Sequence, residues 1–427
     1  MVRPDRIVIL NDFSSTKGGA GFLADALARA VAAQDTPVTF ITGDSGTGDQ
    51  ADGIERVALE GTALLNGKAR SAAKTGLYNT AAARRVADWI ARNDTARTVY
   101  HLHNWSNILS PAIFDALAPV ANRCVIHAHD FFLACPNGAY LDYPRAQICN
   151  RTPLSISCLA TQCDKRAYAH KLWRSARQKV AFGRMKPHLD AATFVMINEA
   201  MRPWLNRAIA PAHMIAIPNP VTPFGTAATA PENAATCAHI GQIQRLKGVH
   251  DLAEAGRRLG VSISFFGDGE DLDALRAAYP EHIWHGFTSR EDIARHLQQT
   301  RAVVVATQSP EPFCLAAFES AATGVPLIVS DAILASDTLV EQGVGVEFQA
   351  GNVADLMAVL DNVLNDDALV ATMASAARAR GTTLGNSLAD WADAHIQLYG
   401  RIIERDPVVH RDMTPPLTQP SLPEHQP

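Results

Sequence analysis

The chain has 427 residues, of which 47% are hydrophobic and 19% are charged, so it is long enough for two globular domains and is not wholly disordered. Its net charge of −5 argues against a general nucleic-acid binder. No apolar run approaches the ~18 residues of a membrane-spanning helix, and the apolar run at 7–10 is too short for a signal peptide. We therefore expect a cytoplasmic protein without a nucleic-acid partner.

Short apolar runs alternate with helical stretches along the whole chain. Such runs predict strands of parallel sheets that are covered on both faces. Between the two halves, residues 222–235 are rich in Pro, Gly and Ala, which is typical of a linker. The pattern predicts an α/β protein with two Rossmann-like domains, residues 1–220 and 236–385, facing each other across a cleft. The predicted strands are 7–10, 38–42, 99–103, 124–128, 193–197 and 214–217, then 238–243, 262–266, 302–306 and 326–329.

The first predicted strand leads into a glycine-rich turn that contains Gly18 and Gly19 and precedes an Ala-rich helix. A single glycine cluster is a weak signal, and a tight strand-to-helix turn explains it equally well.

The predicted strand 124–128 ends in polar residues, His129 and Asp130. Polar groups at the carboxyl end of a strand in such a sheet point into the ligand crevice, which makes His129 a candidate site residue. The alternative is a strand-end histidine that bonds to the backbone. His101 and His103, on a neighbouring predicted strand, stay unassigned.

Four of the seven cysteines follow within a short stretch: Cys135, Cys149, Cys158 and Cys163. Zinc favours four such ligands, but close Cys-x2-Cys pairs are absent here. Disulfides are not expected in a cytoplasmic protein. A structural zinc site and free thiols packed in a loop both remain open.

Residues 165–188 contain eight Lys or Arg residues and no acidic residue. Tyr168, Leu172, Ala176 and Val180 recur every four residues, so a helix here has one apolar face. This face could lie on an anionic membrane surface, or the helix could pack on the first sheet with its basic side in solvent.

In the second half, a loop from Gly241 to Gly248 lies between a predicted strand and a helix that starts near Val249. It carries Arg245 and Lys247. A cationic loop at a strand end is where an open α/β sheet binds an anionic ligand. The acidic run 267–273 lacks the spacing of a calcium-binding loop, so we predict no metal site there.

The most informative segment is 306–331, where Glu311 and Glu319 are eight positions apart and Pro312 opens a predicted helix. The backbone N–H groups of Phe313, Cys314 and Leu315 would have no partners inside that helix and would form an anion site. Carboxylates accept hydrogen bonds from sugar hydroxyls. The arrangement fits a nucleotide sugar, with Glu311 at the hexose, the helix N-terminus at the phosphate and Glu319 at the ribose.

Near the end of the chain, residues 386–404 are predicted to be helical. The last 21 residues contain six prolines and little apolar content, so residues 407–427 are predicted to be a disordered tail.

The segment around Glu311 and Glu319, with its Pro-Glu-Pro-Phe start, small-residue helix and Gly-Val-Pro exit, resembles the Glu-x7-Glu signature of retaining GT-B glycosyltransferases of family 4. The resemblance covers most of residues 5–400. It implies transfer of a sugar from a nucleotide-sugar donor to a glycan, lipid-linked or other acceptor, in polysaccharide or cell-envelope synthesis. It also implies front-face displacement through an oxocarbenium-like transition state, without a metal or other cofactor.

The resemblance further implies roles for individual residues. Gly18 and Gly19 match a loop near the donor phosphate, and His129 matches a histidine that reaches the donor sugar from the opposite domain. Lys247 matches a lysine that holds the donor diphosphate. Gln242 replaces the arginine that usually accompanies this lysine, and Arg245 is the candidate substitute. The helix at 386–404 would cross back to the first domain.

Three other functions remain open from the sequence. A nucleotide-sugar epimerase of the same fold needs no acceptor, and a non-catalytic module would bind a sugar nucleotide without turnover. An NAD-dependent dehydrogenase is disfavoured because residues 18–21 lack the Gly-x-Gly-x-x-Gly spacing.

Overall fold

The computed structural model describes residues 2–15, 19–46, 51–64, 69–228 and 230–405. Gly18 and the predicted tail at 407–427 lie outside the described residues. Within the described part, two parallel sheets are flanked by helices, and each sheet belongs to one half of the chain.

The first half forms a seven-stranded parallel sheet of order β3-β2-β1-β4-β5-β8-β9, with a small separate hairpin, β6–β7. Its central strands are fully buried because helices cover both faces. The strands are β1 Arg6–Asn11, β2 Val38–Thr42, β3 Ile54–Ala58, β4 Thr98–Leu102, β5 Cys124–Ala128, β6 Leu141–Asp142, β7 Gln147–Ile148, β8 Thr193–Met196 and β9 His213–Ala216. The helices are α1 Gly19–Ala32, α2 Ala69–Leu77, α3 Thr80–Asn93, α4 Ile113–Leu117, α5 Ile156–Ala160, α6 Tyr168–Ala191 and α7 Arg202–Leu205.

The second half forms a six-stranded parallel sheet of order β12-β11-β10-β13-β14-β15. The strands are β10 Thr236–Ile240, β11 Ile263–Phe266, β12 Ile283–Gly286, β13 Thr300–Val305, β14 Leu327–Ser330 and β15 Gly345–Phe348. The helices are α8 Val249–Leu259, α9 Leu272–Ala278, α10 Arg290–Leu297, α11 Leu315–Ala322, α12 Ser336–Glu341, α13 Val353–Asn365, α14 Asp367–Arg380 and α15 Leu388–Arg405.

The predicted fold class, two parallel α/β sheets, is confirmed, and each of the ten predicted apolar runs overlaps a strand. Three strands of the two large sheets were missed, β3, β12 and β15, as was the short hairpin β6–β7. β3, β12 and β15 are edge strands. Their exposed positions carry charged residues such as Glu55 and Glu347. An apolar-run criterion fails there because only one face of an edge strand is covered.

The last helix, α15, packs on the first sheet rather than on the second. Trp391, Leu398, Tyr399, Ile402 and Ile403 are buried in one cluster with apolar residues of β1 and α1. The chain crosses back beside the linker, where Pro220 and Asn386 form a parallel bridge. The two halves are therefore joined by two neighbouring chain crossings.

Helix α6 packs on the first domain, but not through its apolar stripe. Lys171, Ser175 and Gln178 are buried, whereas Tyr168 and Leu172 are 42% and 45% exposed. The alternative of a helix that packs on the first sheet with its basic side in solvent is therefore wrong about which face of α6 is buried. Of these buried polar side chains, the Gln178 amide donates to the Leu133 carbonyl, whereas the Ser175 hydroxyl has no hydrogen-bond partner among the described residues.

The four clustered cysteines are buried free thiols. Lys171 Nζ lies 3.2 Å from Cys158 Sγ. None of the four belongs to a group of three or more ligand atoms within 4.8 Å of one another among the described residues.

Within the described residues, no helix combines the length and the apolar character needed to cross a membrane.

Candidate active site

The strand orders locate a crevice in each sheet. In the first sheet the order reverses between β1 and β4, and in the second between β10 and β13. Loops after strands that flank such a reversal diverge and leave room for a ligand. The segments after β10 and β13 contain Lys247 and Glu311, which are therefore neighbours at one crevice.

The loop after β10 is shaped by a glycine. Gly248 has φ +69°, and a Cβ atom there would lie 1.8 Å from the Ala306 carbonyl oxygen. Only glycine permits this close approach to the end of β13. The approach fixes the short 3-10 turn Arg245–Lys247 beside the crevice, with Lys247 partly buried and Arg245 exposed.

Lys247 and Glu311 form an ion pair, with 2.7 Å between Nζ and Oε1. Burial disfavours the charged form of Lys247, but the adjacent Glu311 carboxylate outweighs it and raises the pKa of Lys247. Glu311 Oε2 is buried and has no hydrogen-bond partner among the described residues. A positive charge and a free carboxylate oxygen thus lie side by side.

Helix α11 begins at Leu315, so the prediction that Pro312 opens it is wrong. Glu311 is held in an extended segment, because its N–H donates to Ala332 O and its carbonyl accepts from Leu334 N–H. Phe313 and Cys314 consequently precede the helix, and the N–H groups without helical acceptors are those of Leu315 and Ala316. The end of the helix that was predicted to bind an anion is therefore displaced by about one turn from the predicted position.

Glu319 lies in the second turn of α11, and its carboxylate meets Arg290 at 2.9 Å. Burial raises the pKa of Glu319, and Arg290 opposes that shift. Arg290 also donates to the carbonyls of Thr222 and Pro223 in the linker. Glu311 therefore lies in an extended segment and pairs with Lys247, whereas Glu319 lies in a helix and pairs with Arg290.

On the first domain, His129 directly follows β5, and its Nε2 lies 2.9 Å from His103 Nδ1. Burial, with a smaller contribution from His395, lowers the pKa of His129 to about 3, so the ring is neutral near pH 7. Burial raises the pKa of the neighbouring Asp130 to about 6, opposed by the Phe132 N–H and Arg177. The alternative, in which the His129 side chain bonds to the backbone, is not observed, because its Nε2 contacts His103.

Gly19 is the first residue of α1, the helix that follows β1 along the chain. A Cβ atom at this position would meet nothing within 4 Å, so the local packing does not itself require glycine there.

Two residues at this crevice were missed by the sequence analysis. Asn198, just past β8, donates from Nδ2 to the Pro312 carbonyl at 3.0 Å and so ties the first domain to the segment that holds Glu311. Arg290 is the other. The strand-end position of Asn198 was a usable signal, whereas nothing in the sequence connects Arg290 with Glu319.

The arrangement can bind an anion with hydroxyl groups on either side of it. Lys247 and the start of α11 supply positive potential, and the two carboxylates supply hydrogen-bond acceptors. Two facing parallel-sheet domains with such a site at the second sheet's reversal point define the GT-B fold.

Residues 226–380 match the model of the family described as glycosyl transferases group 1. A glycogen synthase from Mycobacterium tuberculosis is 27% identical over 308 residues, which cover 66% of this chain and 70% of that protein. The chain is a glycosyltransferase.

Among solved structures, a sucrose-phosphate synthase from Thermosynechococcus elongatus has a TM-score of 0.70 at 16% identity and covers 94% of this chain and 100% of that one. The Anabaena protein HepE in complex with UDP-glucose has a TM-score of 0.61 at 16% identity, with 93% and 99% covered. At these identities the likeness shows the GT-B fold.

Proposed function

We propose that the protein is a retaining glycosyltransferase of family 4 that transfers a sugar from a nucleoside-diphosphate sugar to a glycan or lipid-linked acceptor in polysaccharide or cell-envelope synthesis. The observation that carries the proposal is the contact of Lys247 with Glu311 beside the start of α11. The structural likeness to HepE, solved with UDP-glucose, makes a uridine donor the first candidate.

In the proposed complex the donor diphosphate replaces Glu311 as the partner of Lys247. Arg245 and the backbone N–H groups at the start of α11, from Phe313 and Cys314 to Leu315 and Ala316, would complete its binding. These groups would stabilise the negative charge that develops on the leaving diphosphate, which is an electrostatic contribution to catalysis. No metal ion or other cofactor takes part in the proposed reaction.

Glu311, once released from Lys247, would accept hydrogen bonds from the donor sugar, for which its Oε2 already has no partner. Glu319 would bind the ribose hydroxyls. The neutral ring of His129 would reach the sugar from the other side of the cleft, and we propose Gly18 and Gly19 as further donor-binding residues. Front-face attack by the acceptor hydroxyl would then give a product with the donor's anomeric configuration.

We propose residues 1–220, with the returning helix, as the acceptor-side domain and 236–385 as the donor-side domain. Two contacts already cross the cleft: Asn198 to Pro312, and Lys165 to Glu270 at 3.1 Å. Closure around the donor would exclude water and limit hydrolysis.

A donor screen tests this function. We expect one of UDP-, GDP-, ADP- or dTDP-sugars to raise the melting temperature, and the same donor to give an acceptor product that retains its anomeric configuration by NMR. Conversion of the donor without acceptor would instead support an epimerase, and nucleotide affinity without any turnover would support a non-catalytic module. Inversion at the anomeric carbon would contradict the retaining mechanism.

His129→Ala is expected to lower kcat with little change in donor Kd. The neutral imidazole would contribute one hydrogen bond in the transition state, so we expect a loss of roughly 10- to 100-fold. Turnover and calorimetric donor binding, measured on the same sample, check this. A weakened Kd with unchanged kcat would assign His129 to ground-state binding instead.

We also propose that the enzyme is cytoplasmic and contacts the inner face of the membrane through a surface formed by α5 and the start of α6. Ile156 is 87% exposed, and Tyr168 and Leu172 are 42% and 45% exposed. The Tyr168 hydroxyl donates to the Leu159 carbonyl of α5, which brings the two helices together. The exposed cations Lys165 and Arg166 lie on the same stretch. Apolar side chains flanked by cations are typical of binding to an anionic bilayer.

The double variant Ile156→Ser/Leu172→Ser is expected to reduce binding to anionic vesicles at least about tenfold, since burying each side chain in the interface contributes more than about 1 kcal/mol. Vesicle flotation with anionic and zwitterionic lipids measures this. Phe287→Ser, which changes an 88% exposed residue of the second domain, is the control and should bind as wild type. Equal binding of all three proteins would rule out this surface.

A further inference from the structure

Three histidines converge behind the first-domain side of the cleft. His101 lies on β4, His103 directly follows it, and His127 lies on the adjacent β5. Their ligand-capable nitrogen atoms lie within 4.8 Å of one another. Among the residues that the structure describes, this is the only group of three or more His, Cys, Asp or Glu side chains with such spacing.

The three rings are almost completely removed from solvent, with exposures of 0% for His101 and 2% for His103 and His127. Burial, with the neighbouring histidines adding to it, holds their pKa values well below the ordinary value.

Two ring nitrogens in this group lack a hydrogen-bond partner among the described residues. The Nε2 atoms of His103 and His127 are buried without a hydrogen bond in the described structure. Buried polar atoms are normally satisfied, and an unfilled ion or water position is one reason for an exception. His101 Nε2 and His127 Nδ1 face each other at 3.1 Å. Two nitrogen ligands of a tetrahedral ion at about 2.0–2.1 Å from it are separated by a similar distance.

A small void adjoins the group. It is lined by His103, His127, His129 and Asp130 among other residues and has a volume of about 20 Å³. A volume of roughly 10–15 Å³ already accommodates one water-sized particle. There is room for one water-sized ligand beside His103 and His127.

We propose that His101, His103 and His127 form a binding site for one divalent transition-metal ion, with Zn²⁺ as the first candidate. Three imidazole ligands and one water-accessible position match the preferences of zinc, and imidazole also suits cobalt and nickel. The sugar transfer described above does not use this ion, so the site is an addition to the proposed function and does not depend on it.

The surroundings of the three rings fit such a site. His101 Nδ1 contacts Tyr399 Oη at 2.8 Å, which would orient the ring and direct its Nε2 toward the ion. With His103 bound through its free Nε2, its Nδ1–H would donate to His129 Nε2. This contact is compatible with His103 acting as a ligand through Nε2.

The test is metal analysis of the full-length protein. After removal of loosely bound ions and incubation with Zn²⁺, we expect about one equivalent per chain by elemental mass spectrometry. His103→Gln and His127→Gln should each reduce the content at least tenfold. His239→Gln is the matched control, because His239 is also buried on a parallel strand but bonds to the Val304 carbonyl. Its metal content should equal that of the wild type.

Cobalt substitution keeps the proposal testable if the glutamine variants do not fold. Co²⁺ added to the wild-type protein should give the visible absorption of a four-coordinate site with nitrogen and oxygen ligands, without thiolate charge-transfer bands. Thiolate bands would place the ion among Cys135, Cys149, Cys158 and Cys163 and overturn the assignment. Absence of bound metal under all these conditions would overturn it as well.

Discussion

Lys247→Ala is expected to weaken binding of the nucleotide-sugar donor roughly 10- to 150-fold, because a hydrogen bond to a charged group contributes about 1.5–3 kcal/mol. Lys247 lies in the loop after β10 and forms an ion pair with Glu311. The raised pKa of its ammonium group keeps it charged at neutral pH. Arg245 is exposed in the same turn, so Arg245→Ala should have a smaller effect. Isothermal calorimetry with the donor found in the screen measures both.

Loss of Lys247 also leaves the Glu311 carboxylate without its counter-charge, so stability and binding must be separated. Lys247→Met/Glu311→Gln replaces the ion pair by two neutral side chains of similar size. We expect the double variant to recover most of the melting temperature lost in Lys247→Ala, while donor affinity stays low. Recovery of affinity together with stability would mean that Lys247 supports the fold and does not bind the diphosphate.

Glu319→Ala is the second variant with a large expected effect. We expect donor affinity to fall about 10- to 150-fold, since the carboxylate would accept charge-assisted hydrogen bonds from the ribose. The cost in stability should be small, because Arg290 is 47% exposed and keeps its bonds to the linker carbonyls. Thermal unfolding and calorimetry on the same preparation check the two statements.

A ribose analogue makes this prediction specific. Wild-type protein should bind the nucleoside diphosphate more tightly than its 2′,3′-dideoxy analogue, and Glu319→Ala should bind the two equally. Glu291→Ala, which changes an exposed glutamate on the nearby helix α10, should behave as wild type. If Glu319→Ala still discriminates between the two nucleotides, Glu319 does not contact the ribose.

The sequence predicts the sheets well because their central strands are apolar on both faces. Ile7–Leu10 and Ala302–Val305 are buried throughout, so their composition alone marks them as strands. The orientation of α6 could not be predicted in the same way. Its apolar stripe at Tyr168 and Leu172 faces solvent, while Lys171 is buried beside the Cys158 thiol, a contact that periodicity does not encode.

The candidate site was predictable where a residue's role follows from its place at a strand end. Lys247, Glu311 and His129 all lie in the segments that follow buried strands, as expected. The start of α11 was not predictable, because Glu311 is held in an extended conformation by residues 332–334, more than 20 positions away. Long-range backbone pairing of this kind overrides the local preference of Pro312 for a helix start.

The convergence of the three histidines was also not predictable from the sequence. His101, His103 and His127 sit at alternating positions of two strands that the sequence identifies, but their convergence depends on β4 and β5 being neighbours in register. A single sequence predicts where the strands lie along the chain, but it does not predict which strands pair. The contact of Tyr399 with His101 depends further on the return of α15 to the first domain.

The most direct test of the donor-site proposal is a crystal structure of the protein with the nucleotide sugar identified by the screen. We expect the diphosphate to lie against Lys247 Nζ and the backbone at the start of α11, with Glu319 at the ribose and Glu311 at the sugar. A donor bound elsewhere, with the Lys247–Glu311 ion pair intact beside an empty crevice, would contradict this account of the site.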